Sequence, residues 1–414
     1  MKEKVVWIVN EYNGANRECT RQTVLSRKLE EKGYTVYIIC GSSKVKDSDN
    51  LLSSGERIKY INGDEAKGYI IKTSDFHNGI ERIIIAIQFQ RRLWKLRKQL
   101  PNPDVIVSNF AGIFGYVFLK WKHKFGTRVI YDILDLWPEA FVQMGLLKKG
   151  SIVAKYLYNL EHKTYREADG LIFSMQGGRD YIVEKGWSSE TGGDVDTTDI
   201  GYLNNGVDLE TVDRQKETKI LYDSDLDSDK FKVVYLGSIS FLNGLGILVD
   251  TANVLQGRGE SDILFLVYGY GNDLEHLKKC VEEKKLSNIK FKGKLDKQFA
   301  MNMLSRGDLN VFTFRDSPLW QYGVSPNKLF MYFASGKPVL SMIKPKYDLV
   351  IQHEAGLSVD NNPEIVADAI IRFKNMPKEE YKKYCKNARA TAEAYDYNNL
   401  VDVLVDKIEG RSVI

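Results

Sequence analysis

The stretch GVSPNKLFMYFASGKPVL, Gly323–Leu340, decides how this chain is read. Just before it, LNVFTF (Leu309–Phe314) is short, β-branched and aromatic, the pattern of a buried strand. Ser325 suits a helix N-cap and Pro326 the first helical position. Leu329, Phe330 and Phe333 give the new helix an apolar side. Gly336 can end it, Pro338 lies just beyond, and VLSMI begins another strand. A strand–loop–helix–strand unit aims unpaired backbone N–H groups at whatever fills the loop, which suits a phosphate. Lys328 in the first turn and Arg315 at the strand end add positive charge. An ordinary βαβ unit with a well-capped helix has the same pattern, so the stretch alone leaves both readings open.

Outward from it, the alternation of strand and helix continues in both directions. FKVVYLG is a strand followed by the Gly237–Ser238 turn, and DILFLVYGYG is another ending in Gly269 and Gly271. A lone GxG is weak evidence for a phosphate loop. NIKFKGKL is the next strand. Towards the N-terminus, VVWIV, TVYIIC, DVIVSN, RVIYDI and GLIFSM repeat the plan. Strands alternating with helices predict parallel, doubly wound sheets, an α/β class. Ligands collect at the carboxyl ends of such strands, where YDILDLWPEA places Asp132, Asp135 and Glu139. A carboxylate there can accept or orient a hydroxyl proton. A loop held by an Asp cap and a Pro turn is the plainer alternative.

At 414 residues the chain is too long for one core and predicts two domains. Hydrophobic content of 43% and charged content of 28% are those of a soluble globular protein. A net charge of +4 gives no argument for a nucleic-acid partner. The four cysteines form no CxxC pair, which speaks against structural zinc and a disulfide framework. The N-terminus enters a strand without a signal-peptide core, and no apolar run is long enough to span a bilayer. P-loop, GxSxG and HExxH motifs are missing, and the five histidines show no ligand spacing. YDSDLDSD (Tyr222–Asp229) lacks the Gly and Glu of a calcium loop and reads as a solvated acidic linker. In Gly79–Leu100, Ile85, Phe89, Leu93, Leu96 and Leu100 share one helical face and Arg91, Lys95 and Lys98 another. Such a helix can pack on the sheet or lie on an anionic membrane surface.

SPNKLFMYFASGKPVL, YDILDLWPEA (Tyr131–Ala140) and LNNGVDLE (Leu203–Glu210) resemble, in order, segments of the family-four glycosyltransferases with the GT-B fold. The resemblance is closest to the branch that builds bacterial O-antigen and capsule sugars, which includes N-acetylfucosamine transferases. It implies two Rossmann-like domains facing a cleft. Residues 1–207 would bind acceptor, 208–385 nucleotide-sugar, and 386–414 would return as helices to the first domain. It implies a cytoplasmic, metal-independent, retaining transferase without cofactor, moving sugar from a UDP-sugar donor to a lipid-linked saccharide acceptor. It raises the option of an anionic membrane surface reached through residues 79–100. Asp135, from its place in DLWPE, is the catalytic choice, with Glu139 beside it. Donor contacts fall on Gly14, Gly237, Ser238, Gly269, Gly271 and Lys294. In the defining stretch they fall on Arg315, Ser325, Pro326, Asn327 and Lys328. Acceptor contacts fall on Asn16, Arg17 and Trp137. The chain departs from the family where Gly323 and Met331 replace two glutamates, and where Phe241 and Asn243 replace Arg and Lys. Those departures keep two other readings open, a non-catalytic subunit that scaffolds a partner transferase and a sugar-nucleotide epimerase.

Overall fold

A computed structural model describes residues 4–11, 14, 20–43, 50–64, 66–75 and 81–412, the side chain of Arg82 apart. The chain divides into two units, one up to Asn204 plus Tyr397 onward, the other Asn205–Asp396.

The first unit is built on eight strands: β1 (Val5–Val9), β2 (Thr35–Gly41), β3 (Ile58–Asn62), β4 (Lys67–Ile71), β5 (Val105–Ser108), β6 (Arg128–Ile133), β7 (Gly170–Phe173) and β8 (Ile200–Tyr202). Their order is β3-β4-β2-β1-β5-β6-β7-β8. Neighbours are parallel except β3, which runs antiparallel to β4. The expectation of a wholly parallel sheet therefore fails at this edge strand. The short segment between Asn62 and Lys67 can turn a hairpin but cannot make a parallel crossover. The central strands are continuous apolar runs because both faces are covered; all four residues of β5 are buried.

The helices around this sheet are α1 (Arg21–Glu31), α2 (Glu81–Leu96), α3 (Phe118–Phe125), α4 (Glu139–Gln143), α5 (Ile152–Glu167) and α6 (Gly178–Glu184). In α2, Ile85, Phe89 and Leu93 are fully buried, so its main apolar face packs inward.

The second unit opens with α7 (Leu209–Thr218). Its strands are β9 (Phe231–Leu236), β10 (Ile263–Tyr268), β11 (Ile289–Gly293), β12 (Leu309–Phe312), β13 (Val339–Ser341) and β14 (Gly356–Ser358). They pair in parallel in the order β11-β10-β9-β12-β13-β14. The helices between and after them are α8 (Gly246–Gly257), α9 (Leu274–Glu283), α10 (Ala300–Arg306), α11 (Asn327–Ala334), α12 (Leu349–Gln352), α13 (Pro363–Lys374) and α14 (Lys378–Ala394). All six residues of β10 are buried, at the centre of a core that includes Val233, Leu248, Phe265 and Ile370. The acidic segment before β9 is not a solvated linker. Asp223 accepts from Tyr268 Oη at 2.7 Å and Lys292 Nζ at 2.8 Å, and Asp225 pairs with Lys292 at 2.8 Å. The alternating lysines of β11 supply the charges its acids meet.

The last helix, α15 (Tyr397–Glu409), belongs to the first unit, whereas residues 386–394 of α14 belong to the second. Lys407 of α15 is 1% exposed and pairs with Asp199 at 2.6 Å. Its stem lies over the glycines of β7 and β8: a Cβ at Gly170 or Gly201 would come within 3.4 or 3.3 Å of it. Glu409 ties α15 to Lys4 and Tyr34 at 2.7 and 2.8 Å. Among the described residues, no helix is long and apolar enough to cross a membrane.

Candidate active site

The strand ends of the second unit are drawn together by backbone. Beyond β9 and β10 the chains keep pairing: Gly237 N–H donates to Tyr268 O at 3.1 Å and Ile239 N–H to Tyr270 O at 3.0 Å. A Cβ on Gly269 would lie 1.9 Å from Gly237 O, and one on Gly271 2.0 Å from Ile239 O. These glycines let two loops touch, so their first role is close approach of backbone, not a phosphate cradle.

Helix α11 is locked onto this edge. Tyr332 Oη accepts from Leu236 N–H at 3.0 Å and donates to Leu236 O at 2.9 Å, fixing the last residue of β9. Ser335 Oγ accepts from Asn310 of β12 at 2.9 Å and donates to Tyr332 O at 2.6 Å. Leu329, Phe330 and Phe333 are buried, and Gly336, at φ +67°, follows the helix end.

The helix start differs from the expectation. Pro326 occupies the N-cap position, without a side-chain cap. Ser325 does not cap: its Oγ accepts from Asn205 N–H at 2.8 Å, and its carbonyl accepts from the Asn205 amide. Asn205, in the LNNGVD turn, has a partner that local sequence does not indicate.

Lys328 lies in the first turn of α11 with its ammonium enclosed. It donates to Asn243 Oδ1 at 2.8 Å and Tyr235 Oη at 3.2 Å, and its Nζ lies 4.2 Å from the centre of the Phe314 ring. A Cβ on Gly237 would be 3.3 Å from its Cδ, so the lysine runs beneath the Gly237 turn. Burial pulls its pKa down to about 7. Among the described residues no carboxylate pairs with it. A desolvated cation beside a helix start is stabilised by an arriving anion.

Arg315 is exposed, with its guanidinium 3.1 Å from the centre of the Phe241 ring. Phe241 and Asn243, where the resemblance expects Arg and Lys, thus each hold a cation brought from another element. Arg315 also lines a pocket of about 500 Å³ with Phe241, Gly244, Asp250 and His276. Ser238 and Asn327 are exposed near the same strand ends. Lys294 is exposed past β11, two strands from β9, roughly 10 Å across the sheet, so it does not join Lys328. Gly323 sits at φ +93° and Met331 is half-buried on α11.

In the first unit, a buried polar network joins the ends of β1, β5 and β6. Arg21 contacts both carboxylate oxygens of Asp132 at 2.8 and 3.1 Å and also donates to the carbonyls of Leu203 and Asn204. Asn109 donates to Asp132 at 2.8 Å and accepts from Gln22 at 2.8 Å. Burial works to raise the Asp132 pKa, opposed by Arg21 and Asn109. The paired Arg21 was not singled out by its sequence, because its partner is more than a hundred residues away.

Asp135 is exposed in the loop after β6. Glu139 is not a free base. It accepts from Tyr158 Oη at 2.6 Å, Lys185 Nζ at 2.5 Å and Gln143 Nε2 at 2.7 Å. Burial opposes its charge, but these donors outweigh burial and lower its pKa. Trp137 is half-buried, 4.2 Å from the Phe141 ring centre in an apolar cluster with Phe114 and Ala86, which engages the ring expected to meet acceptor. Gly14 is buried; Asn16 and Arg17 lie outside the described residues.

Comparison with known proteins adds family matches over most of the chain. Residues 22–211 match Glycosyltransferase Family 4 and residues 216–391 match Glycosyl transferases group 1. An uncharacterized glycosyltransferase of Methanocaldococcus jannaschii is 22% identical over 70% of each chain. The probable glycosyltransferase WbjE of Pseudomonas aeruginosa is 21% identical over 82% of this chain and 80% of its own. Among solved structures, a trehalose-6-phosphate structure from E. coli bound with UDP-2-fluoro glucose superposes with a TM-score of 0.74 at 11% identity, covering 98% of this chain and 99% of its own. Anabaena HepE in complex with UDP and glucose gives 0.64 at 13% identity, covering 98% of this chain and 100% of its own. At these identities the superpositions establish the fold, which is GT-B.

Proposed function

We propose that this chain, which belongs to the GT-B glycosyltransferases, moves a sugar with retention from a UDP-sugar to a lipid-linked saccharide during assembly of a bacterial surface polysaccharide. Support for the donor comes from Lys328, whose enclosed ammonium has no carboxylate partner among the described residues and lies below the Gly237 turn at the start of α11. In transfer, the bond from the anomeric carbon to the diphosphate breaks and its electron pair stays on the phosphate oxygen. An acceptor hydroxyl oxygen bonds to that carbon on the same face, and its proton passes to the departing phosphate. Lys328 and the α11 N–H groups would hold the growing negative charge without requiring a metal, and Arg315 would face it from the Phe241 ring. Asp135, exposed after β6, would orient the acceptor hydroxyl. The surface-polysaccharide setting and an N-acetylated donor sugar rest on the resemblance of the Ser325–Leu340 stretch alone.

Calorimetry with UDP tests the phosphate assignment. Lys328→Met removes a charged donor, and a loss of about 10- to 100-fold in affinity is expected. Unchanged affinity overturns the assignment. A catalytically silent subunit is the second reading, favoured by Met331 on α11 and by the complete engagement of Glu139. Turnover by the purified chain without a partner excludes it.

A further inference from the structure

We propose that Asn243 is a positioning residue for donor binding, which aims the Lys328 ammonium at the diphosphate without neutralising it. The proposal rests on the reading of Lys328 as the diphosphate's partner and adds the residue that places it. Asn243 is buried at the end of the turn Phe241–Asn243, which leads from β9 into α8. Backbone fixes this turn: Asn243 N–H donates to Ser240 O at 2.9 Å, and Arg315 N–H donates to Leu242 O at 2.9 Å. The side-chain amide is fixed as well. Its Nδ2 donates to Ser240 Oγ at 2.7 Å, and its Oδ1 accepts from Lys328 Nζ at 2.8 Å. The opposite amide orientation would turn an NH2 group towards an ammonium, donor against donor, so Lys328 selects the oxygen.

The other neighbours of the ammonium are neutral too. Tyr235 gives its own proton to Ser238 O at 2.8 Å and so meets Lys328 as an acceptor at 3.2 Å. Thr313 O lies at 3.4 Å, the longest of the three contacts and the one a phosphate oxygen can most readily replace. The rings of Phe314, Tyr235 and Phe312 close the space, with centres 4.2, 4.8 and 5.2 Å from Nζ. Burial raises the pKa of Tyr235 and of Tyr332 on α11, so both stay neutral, and Arg315 is turned onto the Phe241 ring. Asn243 thus makes the shortest contact to a cation whose charge no carboxylate among the described residues cancels. An amide suits this place better than its alternatives. A carboxylate would hold the ammonium and keep it charged, but it would cancel that charge and repel an arriving anion. A second cation would repel Lys328 across a hydrogen-bond distance. An apolar side chain would leave the ammonium without its nearest acceptor.

The test compares Asn243→Asp, isosteric with the native residue, and Asn243→Leu, apolar and branched at the same carbon, in the full chain. Calorimetry gives UDP affinity against pH. Isotope-labelled lysine, observed at Cε by NMR, follows the Lys328 titration without ligand, its signal identified by its loss in Lys328→Met. UDP affinity should fall by about 10- to 100-fold in both variants. The Lys328 midpoint should rise in Asn243→Asp, where a carboxylate favours the ammonium, and fall in Asn243→Leu, where the charged form loses an acceptor. Above about pH 7, affinity should then be flat in the first variant and already declining in the second. Loss of packing alone would not displace the two midpoints in opposite directions. The isosteric variant carries the test by itself if the apolar one does not fold, since its midpoint must rise. An unmoved midpoint in Asn243→Asp overturns the proposal, as does full UDP affinity in both variants while Lys328→Met loses it. Unchanged affinity in Lys328→Met removes the donor assignment itself, and the proposal falls with it.

Discussion

Lys328 shows how one residue can report its own occupant. Its ammonium donates to Asn243 and Tyr235, and burial holds its pKa near 7 in place of the ordinary 10.5. A bound diphosphate would favour the charged form and raise that value. Proton uptake should therefore accompany UDP binding near neutral pH, and affinity should fall as pH rises above about 7, by at most about tenfold per unit. Calorimetry in buffers of different ionisation enthalpy measures the uptake; a flat profile in the wild type would show that the anion binds elsewhere. Lys328→Met should abolish the slope. The position of Lys328 was legible, because a lysine two residues after Pro326 can only enter the first turn. The fates of Ser325 and Glu139 were not. Ser325 answers to Asn205, and Glu139 to Tyr158 and Lys185, all distant in sequence, so local spacing could not tell a cap or a base from an occupied acceptor.

At the scale of elements, the parallel strands were plain in the sequence because burial on both faces demands unbroken apolar runs. What the sequence could not give was which helix face remains in water. The apolar face of α2 packs inward, while α5 exposes Ile152 and Val153. The antiparallel β3 follows from its short local hairpin to β4, whereas the membership of α14 depends on distant packing. The α11–β9 junction yields two tests. Tyr332→Phe leaves Leu236 N–H without its hydroxyl partner and should cost about 1–3 kcal/mol, read by urea denaturation. Gly269→Ala places a methyl 1.9 Å from Gly237 O at φ +153°, so the two loops must part. Stability of the second unit and UDP affinity should both fall in that variant. Full affinity in Gly269→Ala would mean that the Gly237 turn takes no part in donor binding.

Across the whole molecule, Glu161 in the first unit and Lys328 in the second titrate in opposite senses. In the first unit, Glu161 is fully buried and accepts from Tyr165 Oη at 2.8 Å and Tyr181 Oη at 2.9 Å; burial pushes its pKa from 4.5 up to about 8. The native state thus holds that proton more tightly than the unfolded chain. Its contribution is complete below about pH 4.5 and is lost as pH rises through 8. Lys328 in the second unit has the reverse sign. Its pKa falls from 10.5 to about 7, so the native state holds its proton less tightly, and stability rises with pH across that window. Between pH 7 and 8 the two units should move in opposite directions, each by at most about 1.4 kcal/mol per pH unit from these groups. Hydrogen exchange resolved by segment, corrected for the intrinsic rate, separates them. Protection in α5 and β7 should fall with pH while protection in β9 and α11 rises. Glu161→Gln should flatten the first trend alone, since the amide oxygen accepts from one tyrosine and its NH2 donates to the other without titrating, and Lys328→Met the second alone. Trends of the same sign, or trends that survive both substitutions, would mean that other groups govern the pH response of each unit.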